Sequence, residues 1–318
     1  MKSAIYLTLT LAASVCMPAL APEMAAQQAS TQSTLPAPVR SPQIPSKVKF
    51  ADTEYDLDRI DLYERLDREL TAIAYTHGNT LLLLKRANRY FPEILPILKK
   101  NGVPEDIIYL ACIESTLNPR AYSPAKAAGI WQFIPSTAKQ YGLEVNEYVD
   151  ERYDVEKATA AACRFLKLLK AKYGDWESVA AAYNAGPARI SKELDAQQAS
   201  TAMDLYLNEE TTRYMFRILA TKLIMENPRA YGFSLNADQL YTPMEYDIVE
   251  VNTPVADWPT WAKKHGITYS QLKDANMWIR DKTLPNKTGK TYRVKVPKQS
   301  SLHRSTASKA VYNPNWVK

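Results

Sequence analysis

From residue 55 to residue 230, every apolar stripe in the chain repeats at helical spacing, and no segment alternates like a strand. A run of that length commits its apolar side chains to helix-on-helix packing, because each helix has one face to bury and no sheet to bury it on. Leu62, Leu66, Leu70 and Ile73 make one such stripe. Pro92 and Pro104 read as helix starts, and Gly102, Gly142 and Gly174 as helix ends. Asp154 is placed to cap a long alanine-rich helix with Ala158, Ala161, Phe165 and Leu169 on its inner face. Asn208 is placed to cap another, with Met215, Leu219 and Leu223 inward. The expectation is a mainly α domain over residues 51–231.

On either side of that run the pattern changes. Lys2, the apolar stretch 6–15 and the small residues Ala19-Leu20-Ala21 read as an export signal, with Pro22 moving the cut toward Ala26. The signal is thus residues 1–26. Residues 27–50 are rich in Ser, Thr, Gln, Pro and Ala and read as a flexible linker. A linker is also expected at 232–244. Residues 245–298 follow the order strand–helix–helix–strand, with Tyr292, Val294 and Val296 on one face of the second strand. Residues 299–318 read as a basic, disordered tail.

The net charge of +6 favours polyanionic partners. Export and the even scatter of Lys and Arg argue against nucleic acid. The twenty tyrosines and six tryptophans suit sugar stacking, although tyrosine-rich cores give the same count. His77, His265 and His303 show no ligand spacing, and no Gly-rich phosphate loop is present, so neither metal nor cofactor is expected. Membrane attachment would require lipidation at Cys16, where Val15 stands in place of the small residue such a signal uses. Cys112 and Cys163 lie in helical patterns that bury free thiols, while export also permits them to pair.

The chemistry points to Glu114. It lies seven residues after Ile107, four after Leu110 and three after Ala111, so all four share a helical face. A carboxylate on an apolar stripe is paired, protonated or functional. Partial desolvation would raise its pKa toward the range of a general acid. A structural ion pair explains the same position. Downstream, residues 118–135 combine turn formers, Gly129, the amide of Gln132 and the ring of Trp131, a set suited to holding a sugar. Residues 181–187 end a helix with Tyr183-Asn184 before Gly186-Pro187.

Together these segments resemble the Slt-type lytic transglycosylases, and within them the membrane-bound lytic transglycosylase D group. Glu114-Ser115, Asn118-Pro119, Ser123, Gly129-Ile130-Trp131-Gln132 and Ala182-Tyr183-Asn184-Ala185-Gly186 match the family's motifs in order. Glu210-Thr211-Thr212-Arg213-Tyr214 is similar to the late Glu-Thr-Arg-x-Tyr element with one small shift. The resemblance spans residues 81–223 and implies a lysozyme-like helical fold acting on peptidoglycan glycan strands in the periplasm or cell envelope. It implies cleavage of the β-1,4 bond between N-acetylmuramic acid and N-acetylglucosamine, ending in 1,6-anhydromuramic acid. Glu114 would serve as acid and then base, and Ser115, Ser123, Gln132, Tyr183, Asn184 and Tyr214 would hold the sugar or orient Glu114.

A goose-type-lysozyme-like hydrolase would instead need a second carboxylate to activate water, the nearest in sequence being Asp150, Glu151 and Asp154. These fit capping and surface pairing better. An inactive glycan-binding scaffold is the third reading. The segment 246–297 resembles a LysM repeat, with Trp258 and Trp261 where that repeat usually has aliphatic residues. Those two rings serve equally as a small core.

Overall fold

The computed structural model describes residues 40–318, and the expected export signal, Cys16 and most of the first linker lie outside them. The described chain opens with β1 (Lys47–Phe50) and β2 (Thr53–Asp56), an antiparallel hairpin in which Val48 faces Tyr55. This corrects the flexible linker expected to run to residue 50, and β2 takes the first two residues of the run expected to hold no strand. Val48, Phe50, Tyr55 and Leu57 alternate into the core, and Phe50 is fully buried.

Helices α1 (Ile60–Tyr75) and α2 (His77–Lys100) follow. Leu62, Leu66 and Leu70 bury the expected stripe, with Ile73 packed at its edge. Pro92 is not a helix start: it lies inside α2 with Pro96, where burial of Phe91, Ile94, Leu95 and Leu98 outweighs the lost backbone hydrogen bonds. A 3-10 turn at Glu105–Ile107 leads into α3 (Ile108–Ser115). Then come α4 (Pro135–Gln140), α5 (Val155–Tyr173), α6 (Trp176–Ala185), α7 (Pro187–Gln197) and α8 (Glu209–Glu226). Asp154 caps α5 as expected, accepting from the Lys157 N–H at 3.0 Å. Asn208 precedes α8, but its side chain makes no capping bond. The cluster formed by α1, α2, α3, α5, α6 and α8 buries one continuous apolar core.

The C-terminal module consists of β3 (Tyr246–Val251), α9 (Trp258–Lys264), α10 (Tyr269–Ala275) and β4 (Tyr292–Pro297), with β3 and β4 antiparallel. Its own core includes Trp258, Leu272, Trp278, Tyr292 and Val294. Trp258 is fully buried, whereas Trp261 stacks on His265 at 3.9 Å between ring centroids.

The module is locked to the helical domain. Val149 pairs with Ile279, and the Arg280 N–H donates to the Tyr148 carbonyl at 2.8 Å. Lys295 reaches Glu93 and Glu156, each at 2.8 Å. Lys290 joins Glu144 at 2.6 Å and Glu151 at 2.9 Å.

Neither the segment 232–244 nor the tail is loose. Asn88 of α2 donates to the carbonyls of Tyr241 and Ala310 and accepts from the Tyr312 N–H at 2.7 Å. Trp316 is buried against Phe91, with its indole N–H on the Met225 carbonyl at 2.7 Å. The disordered tail expected from its polar composition is therefore corrected. Two aromatic anchors, Tyr312 and Trp316, outweigh the polar residues around them. Among the described residues, no helix is long and apolar enough to cross a membrane.

Candidate active site

Glu114 occupies the last turn of α3, on the face it shares with the fully buried Ile107, Leu110 and Ala111. The chain then reverses through Thr116 and Leu117, both left-handed at φ 52° and 50°. Two non-glycine residues in that region store backbone strain, which is characteristic of functional turns. Leu117 is anchored by complete burial, and Arg86 donates to the Thr116 carbonyl at 3.0 Å.

The Tyr214 hydroxyl, from α8, donates to Glu114 Oε1. Burial raises the pKa of Glu114 from 4.5 to about 7, and nearby Glu210 pushes in the same direction. The Tyr214 hydrogen bond and the Arg217 guanidinium oppose that rise. Tyr214 and Tyr183 are held far above the ordinary tyrosine range by burial and by the Glu114 charge, so both keep their protons at neutral pH and act as hydrogen-bond donors. Glu114 is thus an acid poised near neutrality, bonded by one phenol and close enough to a second to act on it through its charge.

The loop that follows α3 is shaped by a buried clamp. Arg152 donates to the carbonyls of Lys126 (2.7 Å) and Phe133 (3.0 Å), tying the middle of the loop to its end. Asp150 holds that guanidinium bidentately at 2.9 and 2.7 Å. Gly129 lies so close that a β-carbon there would sit 1.9 Å from the Arg152 carbonyl oxygen. Its φ of +77° also suits glycine. Ser115 Oγ donates to the Ile130 carbonyl at 2.9 Å, tying the same loop to α3 beside Glu114.

The other expected site residues separate into two groups. Gln132 stands in a left-handed conformation, φ 49°, with its amide donating to the Gly129 carbonyl at 2.8 Å. The Tyr183 hydroxyl donates to the Trp131 carbonyl at 2.7 Å, and Asn184 Oδ1 accepts from Thr211 Oγ1 at 3.1 Å. These contacts join α6 to α8 and to the loop that follows α3. Ser115 and Ser123 instead serve the loop itself; Ser123 Oγ accepts from the Ala127 N–H at 3.1 Å. Trp131 is not a ring for a sugar face. It is fully buried, with its indole N–H on Thr159 Oγ1 at 2.8 Å. The exposed ring of this loop is Tyr122, at 60%.

Asp150, Glu151 and Asp154 are engaged structurally, as expected, although the pairing is buried rather than at the surface. Glu151 bonds Lys157 at 2.6 Å and Lys290 at 2.9 Å. Sequence reasoning missed Glu210 and Arg217, which both act electrostatically on Glu114. Arg217 lies one turn beyond Tyr214, with its guanidinium 5.7 Å from that ring's centroid. Helical spacing from Tyr214 was the available signal. Cys112 and Cys163 are buried free thiols.

Comparison with known proteins finds two family models on the chain. Residues 92–205 match the Transglycosylase SLT domain, and residues 247–300 the Soluble lytic transglycosylase C-terminal LysM-like domain. The chain is 34% identical to membrane-bound lytic murein transglycosylase D of Escherichia coli (strain K12), over 77% of this chain and 54% of that protein. It is 28% identical to membrane-bound lytic murein transglycosylase C of Haemophilus ducreyi, over 46% of this chain and 43% of the relative. The chain therefore spans about half the length of the curated relatives it matches. Among solved structures, the 70 kDa soluble lytic transglycosylase Slt70 of Escherichia coli shares 20% identity at a TM-score of 0.38, over 54% of this chain and 33% of its own.

Proposed function

From a chain that carries a transglycosylase SLT domain followed by a LysM-like domain, we propose an exported peptidoglycan lytic transglycosylase that cleaves between N-acetylmuramic acid and N-acetylglucosamine. The observation that carries this reading is Glu114, an acid raised to about pKa 7 and hydrogen-bonded by Tyr214. At neutral pH a substantial fraction is protonated and ready to donate to the leaving glycosidic oxygen. The bond from C1 to that oxygen breaks as the proton arrives. The Glu114 carboxylate then takes the proton of the same muramic acid's C6 hydroxyl, and O6 bonds to C1. The net change is one proton moved from O6 to the leaving oxygen, with no water consumed and a 1,6-anhydro end formed.

One carboxylate suffices for this route, whereas an inverting hydrolase needs two. Asp150 and Glu151 are engaged in buried ion pairs and Asp154 in capping. Tyr214 would orient Glu114 and stabilise its ionised form between the two steps. Gln132, Tyr183 and Asn184 would present polar edges to the sugar, with Ser115 and Ser123 fixing the loop that carries Gln132.

A hydrolytic reading has one observation in its favour. Glu210, exposed at the start of α8, is a second carboxylate near enough to act on Glu114. The test is solubilisation of purified sacculi by the parent protein and by Glu114→Gln and Glu210→Gln. The proposed function predicts loss of release by at least about a thousand-fold in the first variant and less than about five-fold in the second. Equal loss in both would move the chain to the two-carboxylate class. Binding without release by the parent would make it a scaffold.

A further inference from the structure

A groove between the helical domain and the C-terminal module carries a charge pattern that the reaction at Glu114 does not use. Arg120, Tyr122 and Tyr153 line it from the helical side, and Lys273, Met277 and Arg280 from the module. Arg280 lies over the Tyr153 ring, 4.4 Å from its centroid. Lys273 is held below the ordinary lysine range by burial and by the neighbouring charges of Arg280 and Arg120, against the pull of Asp281. The fold therefore brings three cations from two domains together despite their mutual repulsion.

The acids nearby neutralise part of that pattern and leave Lys273 and Arg280. Asp150 and Arg152 also line the groove but are committed to each other, and Asp274 pairs with Arg120, so among the described residues Lys273 and Arg280 are the lining cations that hold no ion pair. The exposed Tyr122 ring stands one residue before Ser123, in the loop that Ser115 ties to α3. Groove and cleft thus share one loop.

We propose that this groove binds the carboxylates of the peptides borne by peptidoglycan glycan strands, and that neither domain builds the site alone. This rests on the function proposed above and names a substrate determinant for it. Carboxylates complement clustered Lys and Arg side chains, and Tyr122 and Tyr153 offer faces to the peptide's apolar parts. The module's contribution is then to extend the substrate cleft with a peptide-reading wall.

The test separates binding from catalysis. The full chain carrying Glu114→Gln is titrated with soluble glycan fragments, either bearing peptides or stripped of them by an amidase. The measurement is repeated with Lys273→Gln and Arg280→Gln added, and with the charge-preserving pair Lys273→Arg and Arg280→Lys. The neutral pair is expected to weaken binding of peptide-bearing fragments about five-fold and to leave stripped fragments unchanged. The charge-preserving pair is expected to keep the parent affinity. Raising the salt concentration should weaken peptide-bearing fragments selectively in the protein without groove substitutions, a readout that needs no variant to fold. Equal affinity for both fragments, or equal weakening of both by the neutral pair, overturns the proposal. Loss of lytic activity is read separately, on the protein with Glu114 intact.

Discussion

At the scale of the residue, Glu114 can be read from sequence because a charge at spacings of three, four and seven from apolar residues must sit on a buried face. Its electrostatic setting was only partly legible. Tyr214 and Glu210 stand in one motif, but that they and Arg217 act on Glu114 depends on how α8 packs beside α3, which no local pattern announces. The raised pKa has a consequence for stability. Folded Glu114 holds its proton more tightly than the unfolded chain does, so its favourable contribution is complete below about pH 4.5. That contribution is lost as pH rises through about 7. The loss amounts to about 3 kcal/mol once the group is fully ionised. Glu114→Gln should therefore be more stable than the parent above pH 7, with the margin closing toward pH 4; denaturant titrations across that range measure it. A constant difference at all pH values would show that Glu114 is not shifted. Tyr214→Phe removes the hydroxyl that favours the carboxylate. It should lower kcat about ten-fold and move the alkaline limb of the pH–rate profile to higher pH.

At the scale of the element, periodicity located the helices well because each buries a single stripe, as α1 and α5 do. It failed where tertiary contacts override local preference. Pro92 sits inside α2, and the short alternation of Val48 and Phe50 was hidden by the polar residues before it. Trp131 looked available to a sugar because sequence does not reveal which way a loop ring turns; here Thr159 satisfies its N–H inside the core. The loop depends on close backbone approach. Gly129→Ala would drive a β-carbon into the Arg152 carbonyl and should cost more than about 3 kcal/mol in chemical denaturation. Surviving stability with lost activity would place the damage in the loop alone.

At the scale of the whole molecule, the order of the two domains was readable, but their joining was not. Lys290 and Lys295 each meet two glutamates far away in sequence, and no local pattern announces such pairs. The tail likewise returns to the helical core through Tyr312 and Trp316. Trp316→Ala should destabilise the chain by about 3–5 kcal/mol, measurable as a fall in Tm. A change within about 0.5 kcal/mol would mean that the tail is not part of the folded unit. Under the proposed function the reaction's nucleophile comes from the substrate and not from water. Sacculi digested in water enriched in oxygen-18, with the released muropeptides weighed by mass spectrometry, test it most directly. An attack by O6 under Glu114 predicts anhydro products that carry none of the heavy oxygen. Reducing products labelled at C1 would contradict it and place water, activated by a second carboxylate, in the cleft.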